Sequence, residues 1–249
     1  MSNNCFVRKL KAVVDDSSLA KLGTAVIKTI SSADGAALTL HLTMAKETVI
    51  EAVGGQFVTS AGGSTPAGYT KTIPANTETY VYCPLNTPIE IRIPNKYDIK
   101  YFLAGNGFRA VFDDFIYATG ITRFTANVGN SGNFDASKLT AIDILTVGGS
   151  PELVGSIETV KNCTAIRRFL CLGDSLLEGN IEELASLSSL YDLTIYNCPL
   201  ITGDANIFAD STKFVGLTTL DIRNTGITNR TAAVKALIQA AHPGITVNL

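Results

Sequence analysis

Apolar positions in the second half of the chain recur at fixed offsets. In LYDLTIYNCPLITG, residues 190–203, they fall at Leu190, Leu193, Ile195, Cys198 and Leu200 and close on Gly203, offsets of 3, 5, 8, 10 and 13. The same offsets fit Ile166, Phe169, Cys171, Asp174, Leu176 and Gly179 upstream, and Leu217, Leu220, Ile222, Thr225 and Ile227 downstream. Weaker copies read Ile142-Leu145-Val147, Ile121-Phe124-Ala126 and Ile99-Phe102-Ala104. Six units thus begin at 99, 121, 142, 166, 190 and 217, in steps of 22, 21, 24, 24 and 27 residues. Alternation at 193 and 195, at 169 and 171, and at 220 and 222 turns two apolar side chains to one side of a short strand. One such unit cannot bury its apolar edge alone, so neighbouring units must stack around a shared core.

Between these strands lie return segments. GNIEELASLSS, 179–189, places Ile181, Leu184 and Leu187 at helical spacing with acids early, which predicts a short convex helix. NRTAAVKALIQAA, 229–241, predicts a stronger helix, and HPGITVNL breaks it and adds a last alternating strand. Helix and strand together are expected to cap the final unit. Residues 1–95 show no such period. They offer alternating runs, ALTLHLTM (37–44), TETYVYC (77–83) and IEIRIP (89–94), joined by Gly/Ser/Thr/Pro-rich connectors such as SAGGSTPAGYTKTIPAN, which predicts a small antiparallel β domain. Pro94 and the polar NKYD mark a junction near residues 95–98.

The offsets match L-x-x-L-x-L-x-x-(N/C)-x-L at a period of roughly 20–29 residues, so this region resembles the leucine-rich-repeat family. At offset 8, where that family places Asn or Cys, stand Cys198, Thr225, Asp174 and Ser150, short polar side chains that suit a tight turn although none is Asn. The expected fold class is α+β: an N-terminal antiparallel β-sandwich-like domain with an attachment segment (1–95), then a short leucine-rich-repeat solenoid with a C-terminal helix/strand cap (96–249).

Composition narrows the function. A 249-residue chain with 46% hydrophobic residues can bury a sizeable core. A net charge of −2 gives no basic field for nucleic acid, and no apolar run approaches the roughly 18 residues of a membrane span. The start, MSNNCFVRKLKAVVDD, carries basic residues with no apolar h-region after them, so no signal peptide is expected and the chain reads as made and folded in a bacterial-type cytosol. Five scattered cysteines, Cys5, Cys83, Cys163, Cys171 and Cys198, read as buried free thiols. His41 and His242 have no second ligand nearby in sequence, and no C-x-x-C occurs, so no metal and no cofactor is expected. GNG at 105–107 and VGGS at 147–150 match neither phosphate-loop nor dinucleotide fingerprints and read as turns. Asp15-Asp16 and Glu182-Glu183 read as solvated or capping acids. A catalytic site is therefore not expected.

What remains is surface. Flanking the buried pairs, the outward strand residues are Tyr101, Leu103 and Gly105; Arg123, Thr125 and Asn127; Ile144, Thr146 and Gly148; Arg168, Leu170 and Leu172; Asp192, Thr194 and Tyr196; Thr219, Asp221 and Arg223. From these the candidate concave binding face is drawn: Tyr101, Leu103, Arg123, Asn127, Arg168, Leu170, Leu172, Asp192, Thr194, Tyr196, Asp221 and Arg223. Tyr and Arg are frequent interface anchors. The same face also suits packing on the protein's own β domain or on a sister subunit.

The opening NCFVRKLKAVVDDSSLAKLG, with the β region and repeats behind it, resembles small repeat-bearing virion proteins of tailed phages of Bacteroides-type bacteria, the crAss-like group included. The resemblance implies a virion structural protein, assembled in the host cytoplasm, that is anchored by its N-terminal part and projects its repeats as a head- or tail-attached fibre, decoration or adhesion subunit. Implied partners are copies of itself, a trimer among the forms considered, other virion proteins, and a host surface protein or glycan. The alternative is a stand-alone bacterial leucine-rich-repeat module that binds a protein or glycan. A glycan hydrolase comes third, because the face supplies only Asp192 and Asp221 as carboxylates, out of column with each other.

Overall fold

The computed structural model describes residues 23–29, 38–60, 64–84, 89–104, 108–126, 129–173 and 176–249. The attachment segment up to residue 22 with Cys5 and Asp15-Asp16, the GNG at 105–107, Asn127 and Asp174 lie outside the described residues. In chain order the strands of the first part are β1 (Ala25–Thr29), β2 (Leu38–Met44), β3 (Thr48–Val53), β4 (Phe57–Val58), β5 (Pro66–Gly68), β6 (Thr70–Ile73), β7 (Thr79–Cys83) and β8 (Glu90–Ile93). Then follow β9 (Ile99–Ala104), β10 (Phe108–Ala110), β11 (Arg123–Ala126), β12 (Ser131–Phe134), β13 (Ile144–Gly148), β14 (Glu152–Ser156), β15 (Arg168–Leu172), β16 (Leu177–Asn180), β17 (Asp192–Tyr196), β18 (Ile201–Thr202), β19 (Thr219–Asp221) and β20 (Thr246–Asn248). Among the described residues the one α-helix is α1, Ala232–Ala241.

Alternation places these strands. In β3, Thr48, Ile50 and Ala52 are buried while Val49, Glu51 and Val53 are exposed, the period-2 pattern of a strand with one face on a core. β10, β1, β8, β3 and β6 form, in that order, a five-stranded antiparallel sheet. An eleven-stranded mixed sheet runs β20-β19-β17-β15-β13-β11-β9-β2-β7-β4-β5. From β9 to β20 its pairings are parallel and in register: Phe102, Phe124, Leu145, Phe169, Leu193, Leu220 and Val247 form one inward row. All seven are buried, and they join the inward residues of the antiparallel strands in one hydrophobic core.

The expected fold class is corrected by this architecture. The molecule is mostly β, built on large mixed and parallel sheets, and is not an α+β solenoid with helical returns and a helical cap. On the return side, where a convex helix was expected over 179–189, stand β16 and a 3-10 turn over Ile181–Leu184. Gly179 stands at φ 124° and the Asn180 side chain accepts the Glu182 N–H as an N-cap, but the turn opened there runs only from Ile181 to Leu184 and stays 3-10. Strands β12, β14, β16 and β18 pair in parallel as a four-stranded sheet on that side. Helix α1 is no cap either, since it is the crossover between the parallel neighbours β19 and β20 and leaves β20 at the end of the sheet.

The large sheet continues across the junction expected near residue 95. β2 pairs with β9 on one side of it, and β10, after the junction, returns to pair with β1. A phenylalanine cluster fills the core at this join: Phe102 lies 4.6 Å from Phe115 and 5.2 Å from Phe124, and Phe112 lies 4.8 Å from Phe134. Beside it the buried Lys96 ammonium faces Asp114 at 3.7 Å, and Asp114 also accepts the Val26 N–H at 3.0 Å, tying β1 to the segment after β10. Among the described residues no helix is long and apolar enough to cross a membrane.

Candidate functional site

Side chains on the side of the large sheet opposite the core form one face. Its first row is Tyr101, Arg123, Ile144, Arg168, Asp192, Thr219 and Thr246, each beside the next across a parallel pairing. The second row is Leu103, Thr125, Thr146, Leu170, Thr194, Asp221 and Asn248. Leu172 and Tyr196 adjoin in a third row, and Arg223 follows the end of β19. Of the twelve candidate residues, eleven therefore stand together on this face, and Asn127 lies outside the described residues.

The face extends further than the repeats alone suggest. Thr43 pairs with Tyr101 and His41 with Leu103, while Tyr80 pairs with His41 and Tyr82 with Thr39. The His41 and Tyr80 rings meet edge-on at 4.0 Å, and Tyr80 stacks toward Tyr82 at 6.5 Å. These residues alternate visibly in ALTLHLTM and TETYVYC, but only long-range pairing reveals that β2 abuts β9 and that β7 abuts β2.

Most charges on the face are neutralised by a neighbour. Arg168 Nε donates to Asp192 at 3.0 Å, and the Thr194 hydroxyl donates to the same carboxylate at 3.0 Å. Arg223 grips Asp221 through Nε at 2.9 Å and Nη2 at 2.6 Å, with its guanidinium 5.1 Å from the Tyr196 ring centre. Burial pushes the Asp221 carboxyl up, but the Arg223 hydrogen bonds outweigh it and hold the group below the usual carboxylate range. Asp143, just before β13, is forked by Arg167, and that hydrogen bonding likewise holds it low. Asp192 is thus engaged by an arginine of the neighbouring strand and Asp221 by one two residues along its own rung, an arrangement that does not set an acid and a base on one bond.

Arg123 differs. Its guanidinium lies 5.3 Å from the Tyr101 ring centre, and its buried Nε has no hydrogen-bond partner. Two residues along the same strand, the Thr125 hydroxyl is also buried and without a partner. Burial raises the Tyr101 phenol above its ordinary pKa, and the neighbouring Arg123 charge works against that rise.

The other candidate chemistries sit inside the fold. Ser150 donates to Gly148 O at 2.8 Å and accepts the Asn130 N–H at 3.0 Å, and Thr225 donates to Ile222 O at 2.7 Å, so both tie turning backbone. Cys83, Cys163, Cys171 and Cys198 are buried, and burial pushes the Cys83 and Cys163 thiols up to about 12. The Cys171 and Cys198 sulfurs lie 3.3 Å apart on neighbouring rungs. His242 bonds Phe208 O at 3.0 Å inside the core, and among the described residues no cluster of His, Cys, Asp and Glu is placed to hold a metal ion. No protein-family model, curated protein or solved structure matches the chain.

Proposed function

We propose that this is a non-enzymatic structural and binding protein of a phage particle, and that the ladder face is its recognition surface. The particle role rests on the resemblance of the N-terminal stretch, and what supports a recognition surface most is the face itself, a row of side chains set at strand spacing that passes from the antiparallel strands into the parallel ones without a break. Strands in a sheet lie about 4.8 Å apart, so nine columns from Tyr80 to Asn248 span roughly 40 Å. A surface that long and that rigid suits an extended or repetitive partner better than a small metabolite, which takes a concave pocket.

Attachment to the particle is assigned to the N-terminal part, with the chain assembling in the host cytoplasm as a homo-oligomer. The test is fractionation of particles from a culture that carries the gene. Co-sedimentation of the chain with particles after a high-salt wash, in a fixed ratio to a major capsid protein, is the expected result. Recovery only in the unsedimented fraction would overturn the virion role and leave a stand-alone binding module.

A further inference from the structure

We propose that the open edge of β20 and the outer side of α1 join two copies of this chain about a two-fold axis, an inference that rests on the reading of the chain as a homo-oligomer and gives that reading a surface. The edges of the sheets differ in how they are protected. β5 ends the large sheet on one side with Pro66 and an irregular register against Phe57 and Val58. The five-stranded sheet ends on β6, which carries Lys71, and on β10, which carries the exposed Arg109. Proline, bulges and charge are the devices that keep an edge from pairing. β20 ends the large sheet on the other side with Thr246, Val247 and Asn248, and has none of them.

Backbone hydrogen bonds show what that edge offers. Thr246 donates its N–H to Thr218 O at 2.9 Å, and Asn248 O accepts the Ile222 N–H at 2.9 Å, so both residues face the β19 side. Alternate residues of a strand turn their backbone groups to opposite edges, which aims the Val247 N–H and C=O away from β19. The Val247 side chain, 3% exposed, ends the inward row of the sheet. Antiparallel pairing of β20 with its own copy sets Val247 opposite Val247, and the two exchange both N–H···O bonds across the axis. Such an axis stands perpendicular to the sheet. The inward row then runs on from one copy into the next, and the two ladder faces lie on the same side.

Three residues of strand bury too little to hold a dimer, since a stable interface covers about 1,200 Å² or more in total. Helix α1 supplies the remainder. It is the crossover into β20, with Val234 and Ile238 in the core, so it lies on the side of the sheet opposite the ladder face, and the same axis sets α1 beside α1. Ala233, Ala236 and Ala240 on it are exposed, and Leu237 is 55% exposed. From Ala232 to Leu249 the chain carries one lysine, Lys235, with no arginine and no acid. A two-fold axis sets like against like, so an end this poor in charge suits its own copy better than a partner chosen by charge.

The test is the mass of the full chain by sedimentation velocity across a dilution series, with Leu237→Lys and Thr246→Lys measured beside the parent. Both positions are exposed, and circular dichroism checks that both variants are folded. The expected result is a monomer–dimer equilibrium whose dissociation constant rises about tenfold or more in each variant. A monomer at every concentration, a trimer or larger ring, or a dimer that either substitution leaves unweakened would overturn the proposal. An unweakened dimer sinks this surface and leaves the homo-oligomer standing, whereas a monomer sinks both. Absence of the chain from sedimented particles bears on the virion role alone.

Discussion

At the scale of single residues, alternation decides which substitutions the fold tolerates. Leu193 is fully buried between Phe169 and Leu220, whereas Thr194 faces outward beside Asp221. Leu193→Asp loses the burial of a leucine and forces a carboxylate into an apolar row, a cost of about 4 kcal/mol or more. Thr194→Asp removes one hydrogen bond to Asp192 and sets a third carboxylate beside two others, which costs about 1–2 kcal/mol. Thermal unfolding of the two variants checks this order, and equal midpoints would overturn the assignment of Leu193 as inward and Thr194 as outward. Gly179 presents a second kind of constraint, because its φ of 124° is strained for any L side chain and a Cβ there would stand 2.7 Å from Ser156 Oγ. Gly179→Ala is expected to cost about 1–3 kcal/mol by the same measurement. The inward rows were legible because a period of two needs no knowledge of the neighbour. The missing partners of Arg123 and Thr125 were not, since a vacancy in hydrogen bonding depends on what stands beside a residue in space.

Elements are less legible than residues, because spacing alone does not separate one turn of 3-10 helix from an α-helix. Ile181, Leu184 and Leu187 are all buried as their spacing predicts, yet only Ile181–Leu184 is helical and the chain then turns. A positive-φ glycine followed by a capping side chain opens the turn at Gly179 and Asn180 and again at Gly203 and Asp204, and such a cap starts a helical turn without fixing whether it continues as α-helix. Ion pairs then make the fold sensitive to acid, Asp143 with Arg167 between neighbouring rungs and Asp221 with Arg223 two residues apart on one rung. Asp143 is held low by Arg167, and Asp221 stays low because its Arg223 bonds outweigh burial. A carboxylate whose folded pKa lies below its unfolded one contributes stability that is fully present above the ordinary carboxylate range and is lost as pH falls through the folded value. The unfolding midpoint should therefore drop on acidification below about pH 4, the ordinary carboxylate range. Asp143→Asn should be less stable than the parent at neutral pH and converge on it in acid. A difference between the two that is constant across this range would show that the Arg167 pair contributes nothing to the pH dependence.

For the whole molecule, the decisive contact is the seam between β2 and β9. A sequence read segment by segment divides at Pro94, because the period of the second half begins just after it, and nothing local shows that an antiparallel strand of the first half completes the sheet of the second. The seam gives β9 its hydrogen bonds on one side, covers Ile99, Phe102 and Ala104 with Leu40, Leu42 and Met44, and carries the outward face from Tyr101 and Leu103 to Thr43 and His41. A fragment of residues 96–249 would expose the unpaired edge of β9 and an apolar row together, the combination that drives edge-to-edge association. It would also leave β10 without β1 and Asp114 without the Val26 N–H, so the phenylalanine cluster at the join loses one wall. Made alone, the fragment is expected to self-associate in light scattering and to unfold at a lower temperature than the full chain, without a sharp transition. A monomeric fragment with the full-length midpoint would show that the parallel strands hold themselves and that the seam is only a junction between independent parts. In that case the continuous face would no longer be one rigid surface, and a partner long enough to span it would have to bind two bodies that move separately.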